Sequence, residues 1–262
     1  VLGLADTLRA IFFESKAPKD ARSQGDLSAS GKAWEALVAW YLNLVLAGTP
    51  CVVLARKREI PRVVRDALTV SYGTNPTSTE SDLVAIGLED YEVSGLRRAV
   101  QPFAELSAVA SDNVARLNVA VVQCKTNWND TAQVPMLWDL VYRADGFSSG
   151  SKGAKQVDIR VGVQNRSPRH FRSFAYAFAT VPTQKKLTSF SPSNTPVLRV
   201  RHLTGGNYWG LPSRAGVADS LKEFFARARI GPDDGRGVRQ ALERSIPLYP
   251  TTYRYLLNPY AD

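Results

Sequence analysis

Two places in the chain carry residues suited to chemistry: Asp82, in the run Ser81-Asp-Leu-Val-Ala-Ile, and Gln123-Cys124-Lys125, at the end of the Val-rich run Asn118–Lys125. Strand side chains alternate between faces, so Gln123 and Lys125 point to one side and Cys124 to the other. At a strand end both polar tips stand beside the sheet rim, where an adjacent strand brings Asp82 to meet them. A carboxylate there holds Mg²⁺ together with a main-chain carbonyl and water. An ammonium beside it orients or helps deprotonate an attacking water and neutralises charge at phosphorus. These are the parts that phosphodiester hydrolysis needs. Taken one at a time, Asp82 is an ordinary strand-edge acid, Gln123 a hydrogen-bonded amide and Lys125 a surface cation; it is their joint placement on two strand ends that points to a site.

The surrounding pattern supplies elements to position them. Ser28-Ala-Ser-Gly offers N-caps for a helix over about Lys32–Leu46, with Trp34, Leu37, Val38, Tyr41 and Val45 on its inner face. Cys51–Ala55 reads as a buried strand, Ile60–Val70 as a helix ended by the Gly-Thr-Asn-Pro turn at 73–76, Asp82–Ile86 as a strand and about Ser94–Leu106 as a helix. Asn118–Cys124 reads as a central strand, followed by a helix capped by Asp130 or Thr131 and carrying Val134, Leu137, Trp138 and Val141. Beyond residue 150 the pattern turns to alternation, with strands expected at Val157–Val163, Ser173–Val181 and Pro196–His202, then helices at Val217–Arg229 and Arg236–Glu243. The fold class expected is α/β (α+β), a central mixed sheet flanked by helices. No solenoid repeat or long linker divides the 262 residues, so a single domain is expected.

Charge is unevenly spread. Residues 1–150 hold 15 basic and 17 acidic residues, whereas residues 151–262 hold 18 and 7, and within 151–214 eleven basic residues face one acid, Asp158. Such one-sidedness in an otherwise balanced chain implies a polyanionic partner rather than solubility alone.

Other classes are excluded. At 44% hydrophobic and 22% charged the composition is that of a folded protein, and no apolar stretch is long enough to span a membrane. Cys51 and Cys124 lie in apolar runs and read as buried reduced thiols, which suits the cytoplasm. Two cysteines and two histidines without metal-binding spacing argue against a zinc site, so any metal here prefers oxygen. There is no Gly-x-Ser-x-Gly elbow, Walker loop or dinucleotide Gly-x-Gly-x-x-Gly.

With these residues in view, the sequence resembles the PD-(D/E)XK nuclease superfamily and, within it, type II restriction endonucleases of the bacterial cytoplasm. Ser81-Asp82 stands where the family has Pro-Asp, Gln123-Cys124-Lys125 where it has (Asp/Glu)-X-Lys, and Glu35 where many members place a further acid on the preceding helix. The resemblance covers roughly residues 28–145. It implies a restriction-endonuclease-like core, Mg²⁺ held by Asp82, Gln123 and the Cys124 main-chain carbonyl, catalysis by Asp82, Gln123, Lys125 and Glu35, and double-stranded DNA as substrate. Gly205-Gly-Asn-Tyr-Trp-Gly also resembles a segment of some restriction enzymes. Gln123 departs from the pattern by replacing a carboxylate with a neutral, weaker ligand, with Glu80 or Glu35 the candidates to supply the missing charge. The spacing of about forty residues between Asp82 and Gln123 requires an insertion, for which the helical stretch Val93–Arg116 is available.

Residues 151–214 are expected to recognise DNA, and 215–262 to form a C-terminal helical part. Arg199-Val-Arg201 would place two guanidiniums on one face of a strand, and Arg166, Arg169 and Arg172 would lie on a basic loop. Each is suited to phosphates or to guanine edges. His202 and Asn129 are further DNA-contact candidates, and His170 reads as a polar contact rather than a general base. Cutting both strands calls for two active sites, hence a symmetric homodimer. The alternatives are a nucleic-acid-binding protein that does not cut, and a repair or recombination nuclease with the same core.

Overall fold

A computed structural model describes residues 2–14, 24–46, 49–72, 74–77, 81–88, 102–128, 159–163, 165–182 and 190–221, with the isolated positions 240, 243, 244 and 247. In chain order the elements are α1 (Leu4–Glu14), α2 (Gln24–Leu46), β1 (Cys51–Leu54), α3 (Arg62–Leu68), β2 (Val70–Tyr72), β3 (Asn75–Thr77), β4 (Leu83–Leu88), α4 (Pro102–Asp112), β5 (Leu117–Lys125), β6 (Ile159–Val161), β7 (Ser173–Thr180), α5 (Thr195–Leu203), β8 (Tyr208–Gly210) and α6 (Val217–Ser220). Short 3₁₀ turns lie at Val114–Arg116 and Pro168–His170.

The nearly unbroken apolar runs of β4 and β5 call for cover on both faces, and the fold supplies it. They sit within a five-stranded sheet of order β1-β4-β5-β7-β8. The β1–β4 and β4–β5 pairs are antiparallel, and the β5–β7 and β7–β8 pairs are parallel. The protein is therefore a mixed α/β fold built on a mixed sheet flanked by helices. A second, small antiparallel sheet has the order β3-β2-β6.

One face of the main sheet presents Leu83, Ala85, Val122, Cys124 and the alanines of β7 to Leu8 and Phe12 of α1 and Trp34, Val38 and Tyr41 of α2. The alanines leave room for large rings: Trp34 donates its indole N–H to the Ala179 carbonyl at 3.3 Å, and Trp34 and Tyr41 both pack on Trp209. The other face is covered in two parts. Val84, Ile86, Val119 and Val121 lie under α3 and α4, while Phe178 and Tyr208 join Trp128, Phe190 and Val197 and Val200 of α5.

Three expectations need correcting. Helix α2 begins at Gln24, so Ser28–Gly31 lie inside it rather than capping it. Residues Val70–Tyr72 leave α3 to form a strand of the small sheet. The segment Pro196–His202 is helical, not extended. Pro196 sits in the first turn, where its missing N–H costs nothing, and Val197, Val200 and Thr204 are buried at helical spacing. The expected helix with Val134–Val141, positions 222–229 of that at Val217–Arg229, positions 94–101 of that at Ser94–Leu106 and the start of the strand at Val157 lie outside the described residues; of Arg236–Glu243 only Gln240 and Glu243 are described, both helical.

Gly205-Gly-Asn-Tyr-Trp-Gly has a structural explanation. Gly205 and Gly206, at φ 61° and 90°, turn the chain out of α5. Asn207 is buried and donates to the Thr204 carbonyl at 3.0 Å, and Tyr208 and Trp209 enter opposite faces of the sheet. At Gly210 a Cβ would fall 2.4 Å from Thr180 Cγ2 and 3.0 Å from Trp128, so a side chain has no room. No helix among the described residues is long and apolar enough to cross a membrane.

Candidate active site

The last paired positions of the β4–β5 ladder are Leu83 and Val122, so the next residues outward, Asp82 and Gln123, face each other at the rim. Asp82 Oδ2 accepts the Cys124 backbone N–H at 2.7 Å. With that N–H directed toward β4, Gln123 occupies the non-hydrogen-bonded position, where facing side chains come closest. Gln123 Nε2 accordingly donates to Asp82 Oδ2 at 2.5 Å. Lys125 Nζ stands 3.9 Å from the same oxygen. On the other side of the strand the Lys125 carbonyl accepts the Val181 N–H at 3.0 Å and the Thr180 hydroxyl at 2.8 Å, which fixes the end of β5 against β7.

Glu35, from α2, completes the electrostatics. Burial raises its pKa, opposed first by the Lys125 ammonium and then by Lys32. The Cys124 thiol is pushed well up by burial and, further, by Asp82 and Glu35, against a smaller opposing effect of Lys125; it is a neutral buried group. Asp82, Gln123, Cys124 and Lys125 thus meet at the rim where β5, β7 and β8 end, and Glu35, from the helix that covers the Cys124 face, acts electrostatically on Lys125 and Cys124.

The oxygen chemistry of this neighbourhood fits a hard divalent cation. Gln123 is 0% exposed and its Oε1 has no hydrogen-bond partner, a buried acceptor that a cation or an ordered water would satisfy. The Cys124 carbonyl leans to the same side of β5 as its N–H, toward Asp82. Among the described residues no group of three or more His, Cys, Asp or Glu side chains forms a metal cluster. An ion here would therefore rest on one or two carboxylates, amide and main-chain oxygens and water, the ligand set that suits Mg²⁺. Glu80 lies outside the described residues.

The DNA-contact candidates are dispersed. Arg166 is held at 3.0 Å from Asp66 Oδ2, an anchoring contact between the small sheet's loop and α3. Arg169 and Arg172 are exposed around the 3₁₀ turn, and His170 accepts the Ser167 backbone N–H at 3.0 Å through its Nδ1. Segment 166–172 is thus a capped turn rather than an open loop. Arg199, Arg201 and His202 are exposed on α5. Because α5 is a helix, residues two apart diverge by about 160°, so Arg199 shares its outward side with His202 and not with Arg201. Asn129 lies outside the described residues. Helices α3 and α5 pack on the same face of the sheet, on either side of the Asp82–Gln123 position.

A cleft of about 320 Å³ is lined by Lys57, Arg65, Thr69 and Ser81. Its only sequence signal is the basic triplet Arg56-Lys-Arg58 just after β1. A wider cleft of about 810 Å³ lies beside it along Arg166, Ser167 and His170, and Pro76 borders both. No family model, curated protein or solved structure matches this chain.

Proposed function

We propose that the protein is a Mg²⁺-dependent double-stranded DNA endonuclease with a restriction-endonuclease-like core of the PD-(D/E)XK type. The observation that carries the reading is the convergence of Asp82, Gln123 and Lys125 on one oxygen, with a buried and unsatisfied Gln123 Oε1 beside it. A helix bearing Glu35, a strand led by Asp82 and a strand ending in Gln-Cys-Lys also follow in the order that the resemblance implies, with the two strands paired.

In this reading Asp82, Gln123 Oε1 and the Cys124 carbonyl hold the cation, with Glu35 as the nearby second carboxylate. When bound, the ion supplies Lewis-acid activation of water and neutralises phosphate charge. Lys125 orients the attacking water and offsets charge on the phosphate, and its own position is set by Asp82. The exposed arginines of α5 and of the 166–172 turn hold the DNA backbone. A symmetric pair of chains would serve the two strands.

The test is a MgCl₂ titration with plasmid DNA. Wild type yields discrete fragments, while Asp82→Ala and Lys125→Ala each lower the cutting rate by about 10²-fold or more and retain DNA binding. The second reading, a DNA-binding protein that does not cut, is favoured by the missing charge at Gln123. It predicts binding without fragments in every divalent cation tried.

A further inference from the structure

The cleft between α3 and the start of β4 carries two cations, Arg65 and Lys57, that form no ion pair among the described residues. Arg65 Nε is buried and lacks a hydrogen-bond partner, which leaves a charged donor unsatisfied. Lys57 is exposed and forms no ion pair among the described residues. The acid that lines the cleft, Asp66, is already engaged by Arg62 at 3.6 Å and Arg166 at 3.0 Å. The unbalanced charge inside is positive and calls for an anion.

The walls favour more than a bare anion. Ala55, Ile60 and Leu68 add apolar lining to the cations, and the Thr69 and Ser81 positions add hydroxyl groups. At about 320 Å³ the space is at the small end of ligand sites, about 300–1,000 Å³. That combination suits a planar base against the aliphatic wall and a phosphate on the guanidinium and ammonium. Ser81 immediately precedes Asp82, so a ligand here lies next to the candidate cutting site.

We infer that this cleft is a pocket for one unstacked nucleotide, its phosphate held by Arg65 and Lys57 and its base against Ala55, Ile60 and Leu68. The context, a nucleotide adjoining the scissile phosphate, rests on the nuclease reading above. The pocket itself does not require cutting.

The experiment is calorimetric titration of the full chain, in EDTA, with dAMP, dTMP, thymidine and inorganic phosphate. At least one monophosphate is expected to bind, with thymidine and inorganic phosphate each weaker by about tenfold or more. Arg65→Ala and Lys57→Ala each weaken it by about tenfold or more, and Asp82→Ala leaves it unchanged. Lys57 is a surface position, so Lys57→Ala keeps the test valid if Arg65→Ala fails to fold. Failure of both monophosphates to bind overturns the proposal. So does equal binding of inorganic phosphate, which marks a bare anion site, or loss of binding in Asp82→Ala with retention in both cation variants. Because neither Mg²⁺ nor cleavage enters, a chain that binds nucleotide but never cuts retires the nuclease reading alone, and one that cuts but binds no monophosphate retires the pocket alone.

Discussion

Gln123 donates from Nε2 to Asp82 Oδ2 across the end of the β4–β5 ladder, while its Oε1, on the same amide, is buried and unsatisfied. A carboxylate in place of the amide would face Asp82 at hydrogen-bond distance, and two like charges so close cannot both stay ionised without a cation. Gln123→Glu is therefore expected to be less stable than wild type in EDTA at pH 8, by about 1–3 kcal/mol, with a correspondingly lower melting temperature that recovers in MgCl₂. Thermal denaturation with and without Mg²⁺ checks this, and an equal melting temperature in both conditions would count against a cation site.

Glu35 makes a pH-dependent contribution. Its folded-state pKa is raised, chiefly by burial, so the carboxyl contributes stability below its unfolded value and that contribution is lost as pH rises through the folded value. Glu35→Gln should raise the melting temperature at pH 8 and lose that gain near pH 4. If Glu35 also serves the cation, the same variant cuts more slowly at pH 8. A melting series across pH, paired with plasmid assays, separates the two effects.

The thiols offer a probe of packing. Burial pushes Cys51 up to about 12 and Cys124 well above its ordinary range, and thiolate is the reactive form. The native chain should react with a thiol reagent at neither cysteine at pH 8, and at both of its two cysteines in guanidinium. Rapid native labelling of one equivalent would show that the sheet opens near β1 or β5.

Arginines with different surroundings should behave differently. Arg199 and Arg201 are exposed on α5, and each removed to Ala should lower the salt slope of DNA binding by about one without unfolding the protein. Arg166→Ala instead breaks the 3.0 Å contact with Asp66 and should lower stability as well. Filter binding across salt, together with melting curves, distinguishes the two groups.

Strands β4, β5 and β7 were legible because uninterrupted apolar runs of strand length are buried on both faces, and the Asp82–Gln123–Lys125 grouping was legible because polar residues end two such runs. Helix α5 was not. Over seven residues Pro-Val-Leu-Arg-Val-Arg-His fits alternation as readily as helical spacing, and only its packing on Trp128 and Phe178 decides. The start of α2 was hidden by Ser28-Ala-Ser-Gly, whose residues favour caps but here continue a helix. The stranded Gln123 oxygen and the cleft beside Arg65 depend on contacts between elements distant in sequence, and no local pattern encodes them.

Strand β5 lies between two neighbours drawn from opposite directions along the chain: its contact with Asp82 spans 41 residues and the Thr180 hydroxyl bond to Lys125 spans 55. A nascent chain that has not yet emerged from the ribosome as far as β7 carries β5 with a bare edge, and the carbonyl of its terminal lysine lacks the Thr180 and Val181 donors. Any activity centred there would thus be withheld during synthesis until β7 is free to close the sheet.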